Sequence, residues 1–307
     1  MLRLGENGWS AVISDEFTFD NVKKLATAIA VYLLNNDQLA RPIVVGYDAR
    51  FLSDKAADII VKALESAGAS ILLTDRDVPL PVLEWVAGDR GAACALMVTG
   101  GASPPQYSGL KLLAGADLVK KGGLNKIDKN VYYGSVSAQA GGADPDYLSF
   151  LSGLNRLKSE NIGQSKVERF DPRERYCKFL AAGMDDAAIK KAKLKVVVDP
   201  LFGSVRGYLD TLLQRAGCAV EEIHNYRDVL FGGRAPDPAE GNLAELKAKV
   251  AEAQADLGLA LSGDGGDFAV VKKGGAYLPS SSFAAWKPGG SLPACLRIVE
   301  RAARNLL

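Results

Sequence analysis

The sequence predicts a layered α/β protein made of two copies of one unit, closed by a C-terminal helix. Three observations predict it. Short apolar runs of strand length alternate with helix-periodic segments of ten or more residues. The alternation then occurs a second time in outline. Lys195-Val196-Val197-Val198-Asp199 repeats Ile43-Val44-Val45-Gly46-Tyr47-Asp48, a strand ending at a turn that carries Asp. Each is followed by a helix stopping at Ala-Gly (Ala67-Gly68, Ala216-Gly217), a strand, a Pro-bearing loop, a helix, and a strand that runs into a Gly-rich loop. Finally, 307 residues suffice for two domains that each bury a core.

Taken in order, residues 1–16 are mixed, with Gly5, Asn7 and Gly8 as turn markers. Thr18 or Asp20 caps a helix whose Val22, Leu25, Ile29 and Leu33 recur at helical spacing. Residues 43–46 read as a buried strand, and Ser53 as the cap of a second helix with Ile59, Ile60 and Leu64 on one face. A strand at 71–73 and a helix from Pro81 through Trp85 follow, then a strand at 93–98 and a short apolar segment at 110–113. Lys120-Lys121-Gly122-Gly123 and Gly141-Gly142-Ala143-Asp144-Pro145 read as turns or linker, so the units divide within 134–169. We set the domains at 1–145 and 146–285, with 286–307 as the terminal helix. The second unit opens with a helix over 172–182. Strands at 195–199, 219–223 and 257–261 follow, and Leu292, Cys295, Leu296, Val299, Ala303 and Leu306 share one face of the last helix.

Composition excludes several classes of function. A net charge of +1 offers no electrostatic footprint for nucleic acid or an acidic membrane. No apolar run approaches the roughly 20 residues that span a bilayer, and residues 1–6 carry no signal-peptide core. Cys94, Cys177, Cys218 and Cys295 are scattered without metal or redox spacing, which reads as buried free thiols in a cytoplasmic protein. His224, the only histidine, follows a strand and reads as structural.

The most site-like stretch runs from Val98 to Lys111: Val-Thr-Gly-Gly-Ala-Ser-Pro-Pro-Gln-Tyr-Ser-Gly-Leu-Lys. Small residues at a strand end permit close approach of a ligand. Yet the loop holds no carboxylate, His or Cys; its polar chemistry is Thr99, Ser103, Ser108, Tyr107 and Lys111. The equivalent loop of the second unit is Ser262-Gly263-Asp264-Gly265-Gly266-Asp267. Ligands of α/β sheets sit beyond the carboxyl ends of strands, so two such loops facing one cleft would form a composite site.

Five landmarks in order carry a resemblance. They are Gly8-Trp9 with Phe17-Thr18-Phe19-Asp20-Asn21-Val22; Val45-Gly46-Tyr47-Asp48-Ala49-Arg50; Pro104-Pro105-Gln106-Tyr107-Ser108-Gly109-Leu110-Lys111; Gly232-Gly233-Arg234-Ala235-Pro236-Asp237-Pro238; and Asp256-Leu257-Gly258-Leu259-Ala260. Together they resemble the α-D-phosphohexomutases, the phosphoglucomutase/phosphomannomutase group, over residues 4 to about 278, the first two of that family's four domains. The resemblance implies two tandem α/β/α sandwich domains with mixed sheets. It also implies an ancestral activity: phosphoryl exchange between the 1- and 6-positions of a hexose, through a phosphoserine and a magnesium ion held by three Asp.

Carried over residue by residue, the chemistry is missing. The phosphoserine position is Gly101, with Ala102 and Ser103 where the family has His and Asn. Ser103 is a weak substitute, about 6–7 Å away along an extended chain. Of the three metal carboxylates only Asp264 remains; Ser262 and Gly266 replace the others, and Asp267 stands where the family has Arg. Magnesium requires anionic oxygens, so no cofactor is expected to be required. The family's early Arg is Ser10. Arg50 and Lys111 remain as phosphate-binding candidates, against the alternative that Arg50 is an interdomain salt-bridge partner and Lys111 a solvated strand-end residue. The 232–238 loop reads as a retained turn.

These replacements predict a mutase-like protein of carbohydrate metabolism, truncated and catalytically inactive, with a binding or regulatory role. Its partner would be a phosphosugar or an active family member. Two alternatives stay open: one chain of a split phosphohexomutase, or an enzyme of altered phosphosugar chemistry with Asp264 or Asp267 as base.

Overall fold

A computed structural model describes residues 2, 4, 8–114, 123–134, 144–159, 165–286 and 290–306. Two mixed sheets organise it. In the first, β1 (Trp9–Val12), β2 (Ile43–Tyr47), β3 (Ser70–Thr74), β4 (Cys94–Val98), β5 (Tyr107–Ala114) and β6 (Lys166–Phe170) lie in the order β1-β5-β4-β2-β3-β6. In the second, β7 (Lys195–Asp199), β8 (Ala219–Glu222), β9 (Leu257–Leu261), β10 (Phe268–Lys272) and β11 (Tyr277–Pro279) lie in the order β11-β10-β9-β7-β8. The repeat read from the sequence is visible here. Each unit has a parallel trio, β4-β2-β3 or β9-β7-β8, extended by an antiparallel strand, β5 or β10. The loops after β4 and β9 are therefore equivalent.

Among the described residues the flanking helices are α1 (Phe19–Asn35), α2 (Ser53–Glu65), α3 (Leu80–Asp89), α4 (Gly123–Tyr133), α5 (Pro145–Ser159), α6 (Arg173–Ala181), α7 (Asp186–Ala192), α8 (Leu209–Arg215), α9 (Ala244–Glu252) and α10 (Ser291–Ala303). Thr18 caps α1 as its spacing predicts, its hydroxyl accepting from the Asn21 N–H at 3.2 Å. The face so started buries Val22, Leu25, Ile29 and Leu33 completely or nearly so; a fully buried side chain of this size contributes about 1.5–3 kcal/mol. Ser53 does not cap α2. Leu52 holds the cap position at φ 60, and the Ser53 hydroxyl donates to Asp48 at 2.8 Å.

The expected domain boundary at 145/146 falls inside the first unit. β6 pairs in parallel with β3 from Ser70↔Lys166 to Thr74↔Phe170, and α5 packs on α1 through Val31, Tyr147 and Phe150. The first sheet thus recruits chain from beyond the linker-like stretch. Residues 115–122 and 135–143, which hold most of that expected linker, lie outside the described residues. Residues 8–12, read as mixed, contribute β1, and α7 is a further element that the periodicity does not reveal.

One apolar core runs through both units. It joins Val82, Leu83 and Val86 of α3 to Tyr176 of α6, Leu212 of α8, Val196 and Leu259 of the second sheet, and Leu292 and Leu296 of α10. The terminal helix therefore packs back on the chain, as its apolar face predicts. All four cysteines are free and buried. No helix among the described residues is long and apolar enough to cross a membrane.

Candidate functional site

Arg50 builds the loop that follows β4. Its guanidinium is fully buried and directs its N–H groups at fixed acceptors: Nε at Asp48 at 3.1 Å, one terminal nitrogen at the Pro104 and Tyr107 carbonyls (both 2.9 Å), the other at those of Gly101 (2.8 Å) and Ser103 (2.7 Å). Asp48 is held in turn by the Arg50 N–H at 3.0 Å and by Ser53. The loop is thus wound around a planar, multidentate cation. Arg50 has no donor left for a phosphate. Arg50 is an ion-pair partner, but of Asp48 two residues away in its own unit, not across the domains as expected. At Gly100 even a Cβ would lie 2.7 Å from the guanidinium, so the backbone must pass bare.

The loop after β9 arrives from the other side. Asp264 is 1% exposed, and both its oxygens are engaged. Oδ1 accepts from the Gly266 N–H at 2.9 Å and the Ser262 hydroxyl at 3.2 Å; Oδ2 accepts from the Lys111 ammonium at 2.9 Å and the Thr99 hydroxyl at 3.3 Å. Burial works against the charge of Asp264, and the Lys111 ammonium, helped by the Gly266 and Ser262 donors, outweighs it and holds the carboxyl below its usual range. Thr99 also accepts from the Gly101 N–H at 2.8 Å, so this hydroxyl ties the two loops together.

Gly101 sits at φ 60, where a side chain is strained. A Cβ there would stand 3.4 Å from the Lys111 nitrogen and 3.7 Å from Asp264. The position expected for a phosphoryl carrier therefore points at an ion pair already made. Ser103, the weak substitute, is half-buried with its N–H on Gly100 at 3.0 Å and its carbonyl on Arg50. Asp267 gives its backbone N–H to Ser262 at 2.9 Å. Its charge adds to the burial that pushes the Cys295 thiol of α10 upward.

The donor set does not fit a divalent cation. Lys111 neutralises the Asp264 carboxylate, and the Ser262 oxygen already accepts from Asp267 and donates to Asp264. Among the described residues no group of three His, Cys, Asp or Glu is placed to hold a metal. Magnesium needs several anionic oxygens with room for its waters.

Further contacts fix the two units around these loops. The Leu80 N–H donates to the Asp264 carbonyl at 2.8 Å, Arg206 pairs with Asp77 at 2.7 Å, and Arg227 reaches the Ala49 carbonyl at 3.2 Å. The Gly263 N–H meets the Pro236 carbonyl at 3.0 Å, so the 232–238 turn buttresses the acidic loop. His224 lies between Asp199 (3.0 Å) and Glu245 (2.9 Å). Sequence reasoning flagged Lys111 and Asp264 separately but not their pairing, and it missed Thr99 as the bridge. A hydroxyl at a strand end carries no signal of its partner in a loop 165 positions away.

Two repeated units with equivalent loops at one seam define a tandem α/β/α protein of the phosphohexomutase class. The chain belongs to the phosphoglucomutase/phosphomannomutase family: its alpha/beta/alpha domain I matches residues 1–128 and its alpha/beta/alpha domain II matches residues 174–275. A phosphoglucomutase/phosphomannomutase of Thermococcus kodakarensis is 28% identical over 278 residues, 89% of this chain and 56% of that protein. A phosphomannomutase/phosphoglucomutase of Pseudomonas aeruginosa is 28% identical over 271 residues, 87% of this chain and 51% of that one. Among solved structures, a putative phosphomannomutase from Thermus thermophilus superposes with a TM-score of 0.70 at 27% identity, covering 90% of this chain and 58% of that chain. The chain thus spans about half the length of the relatives it matches.

Proposed function

We propose that this chain is a mutase-fold protein of carbohydrate metabolism that does not transfer phosphate, and that it acts as a binding or regulatory module. The observation that carries the reading is the Lys111–Asp264 pair at 2.9 Å, lying against the bare Gly101. Phosphoryl exchange needs an oxygen to carry the group and cations free to meet the charge developing on it. Here the carrier position has no oxygen and the nearest cation is committed to a buried carboxylate. The four buried thiols support a place in the reducing cytoplasm. A phosphosugar held without turnover, or an active family member, remains the partner that fits the fold.

The test is a coupled assay with glucose 1-phosphate and mannose 1-phosphate, a hexose bisphosphate activator and magnesium. We expect no turnover above background, and sustained turnover abolished by Asp264→Asn would overturn the reading. Thermal unfolding with each hexose phosphate then separates a binder, which gains stability by mass action, from a scaffold, which does not. Altered chemistry with Asp264 as base is disfavoured by the same pair, because an ion-paired carboxylate of lowered pKa is a poor proton acceptor near neutrality.

A further inference from the structure

A groove of about 880 Å³ opens between α3, α6 and α10. Its volume lies in the range of small-molecule pockets, roughly 300–1,000 Å³. An aromatic wall lines it: Trp85 lies 5.3 Å from Tyr176 and 5.2 Å from Phe179, centroid to centroid. Phe179 is 54% exposed, an unusual amount for a Phe set in a wall of its own kind. Leu296 and Met184 complete the apolar surface.

The polar groups of the groove are few and unequal. Arg297 and Glu300 stand one turn apart on α10 with opposite charges, and Glu300 already accepts from the Asp185 N–H at 3.0 Å. Glu84 differs: it is exposed, and among the described residues no hydrogen bond or ion pair reaches it, although the charges of Lys111 and Asp264 act on it. A carboxylate beside an aromatic wall attracts a cation twice, by its own charge and through the ring faces. An anion would meet two carboxylates, Glu84 and Glu300, against one guanidinium, Arg297, and a sugar ring would find few donors along an apolar wall. The groove is thus chemically unlike a phosphosugar site.

We infer that this groove binds a small amphipathic organic cation, an aromatic or alkyl body carrying an amine, with the body on Trp85 and Phe179 and the ammonium on Glu84. The inference stands independently of the reading given for the seam. The Glu84 carboxyl is also pushed above its usual range by the desolvation it feels, with Lys111 opposing, so a bound ammonium would draw it back toward its usual range.

Titration calorimetry of the full chain with 2-naphthylmethylamine, 2-naphthylmethanol and 2-naphthoate tests it. The amine is expected to bind at least about fivefold tighter than the alcohol, with the carboxylate weakest. Glu84→Gln should reduce the amine to the level of the alcohol. Gly183→Phe should abolish binding of both by filling the groove; Gly183 lines it, and a Cβ there meets only the Leu180 carbonyl at 3.6 Å. Phe179→Ser is the second groove variant should that one melt early. Equal affinity for amine and alcohol, no binding of the amine, or binding intact in both groove variants would each overturn the proposal. So would sedimentation showing the groove buried between two copies at assay concentrations.

Discussion

Lys111 is the residue on which the seam depends. Its ammonium satisfies a carboxylate that is almost wholly buried, and removing one partner of such a pair leaves an uncompensated charge that costs about 3–5 kcal/mol. Lys111→Met should lower stability by about 3 kcal/mol in urea unfolding, and Asp264→Asn by a similar amount. The double variant should lose clearly less than the sum, and strict additivity would show that the pair does not couple. His224 offers a second residue-scale expectation. Its hydrogen bond to Asp199 raises its pKa, burial opposes, and Glu245 adds to the rise. A group whose folded pKa is raised contributes stability fully below its unfolded value, about 6.5. That contribution fades as pH climbs through the folded value. Melting temperature should therefore fall between pH 6 and 9 by more in the parent than in His224→Gln. Parallel profiles would refute the clasp. Both partners of His224 lie far from it in sequence, which is why the lone histidine was legible as structural but its two carboxylates were not.

At the scale of elements, strands and helices with strong periodicity were legible from sequence to within a residue or two: β7, β9 and α1 are where the pattern puts them. The misses share a cause. β6, Lys166-Val-Glu-Arg-Phe, is half-buried at a sheet edge, and its alternation of charge and apolar residues is too short to stand out; only the exposed side of β3 makes it a strand. Ser53 looked like a cap because the local pattern is a cap pattern, yet Asp48 offered its hydroxyl a better partner. The site loops were recognisable from their composition, whereas their contents were not, since Arg50 is satisfied mostly by carbonyls that leave no trace in side-chain identity. α10 carries a testable consequence. Leu296 is 3% exposed and Cys295 wholly buried within the shared core. Leu296→Ala should cost about 2–5 kcal/mol. Burial pushes the thiols of Cys94, Cys177 and Cys218 up to about 12, 11 and 11. They and Cys295 should stay silent toward a thiol reagent at pH 8 until denaturant is added. Rapid labelling of any one of them in the native protein would contradict the packing.

For the whole molecule, the continuity of the core across both units argues that they do not unfold separately. Val82 and Leu83 of the first unit and Leu292 of the last helix belong to the same apolar cluster as the second sheet. The seam adds a buried ion pair and hydrogen bonds to backbone carbonyls. Tryptophan fluorescence and far-ultraviolet circular dichroism should therefore report one coincident transition in urea. Two separated transitions would mean that the cluster is really two. The repeat explains why this global arrangement could be anticipated: duplicated strand order places duplicated loops at one face, and the sequence shows the duplication directly. The tightness of their meeting follows from bare backbone at the seam, which composition alone does not reveal.

The left-handed turn at Gly101 also bears on reversibility. A hydroxyl placed there would bend against its own backbone and meet an ammonium ion. On the reading proposed above, no single replacement would restore phosphoryl transfer, so selection would have no first step to favour. The same few atoms that keep the halves of the protein together would then act as a ratchet.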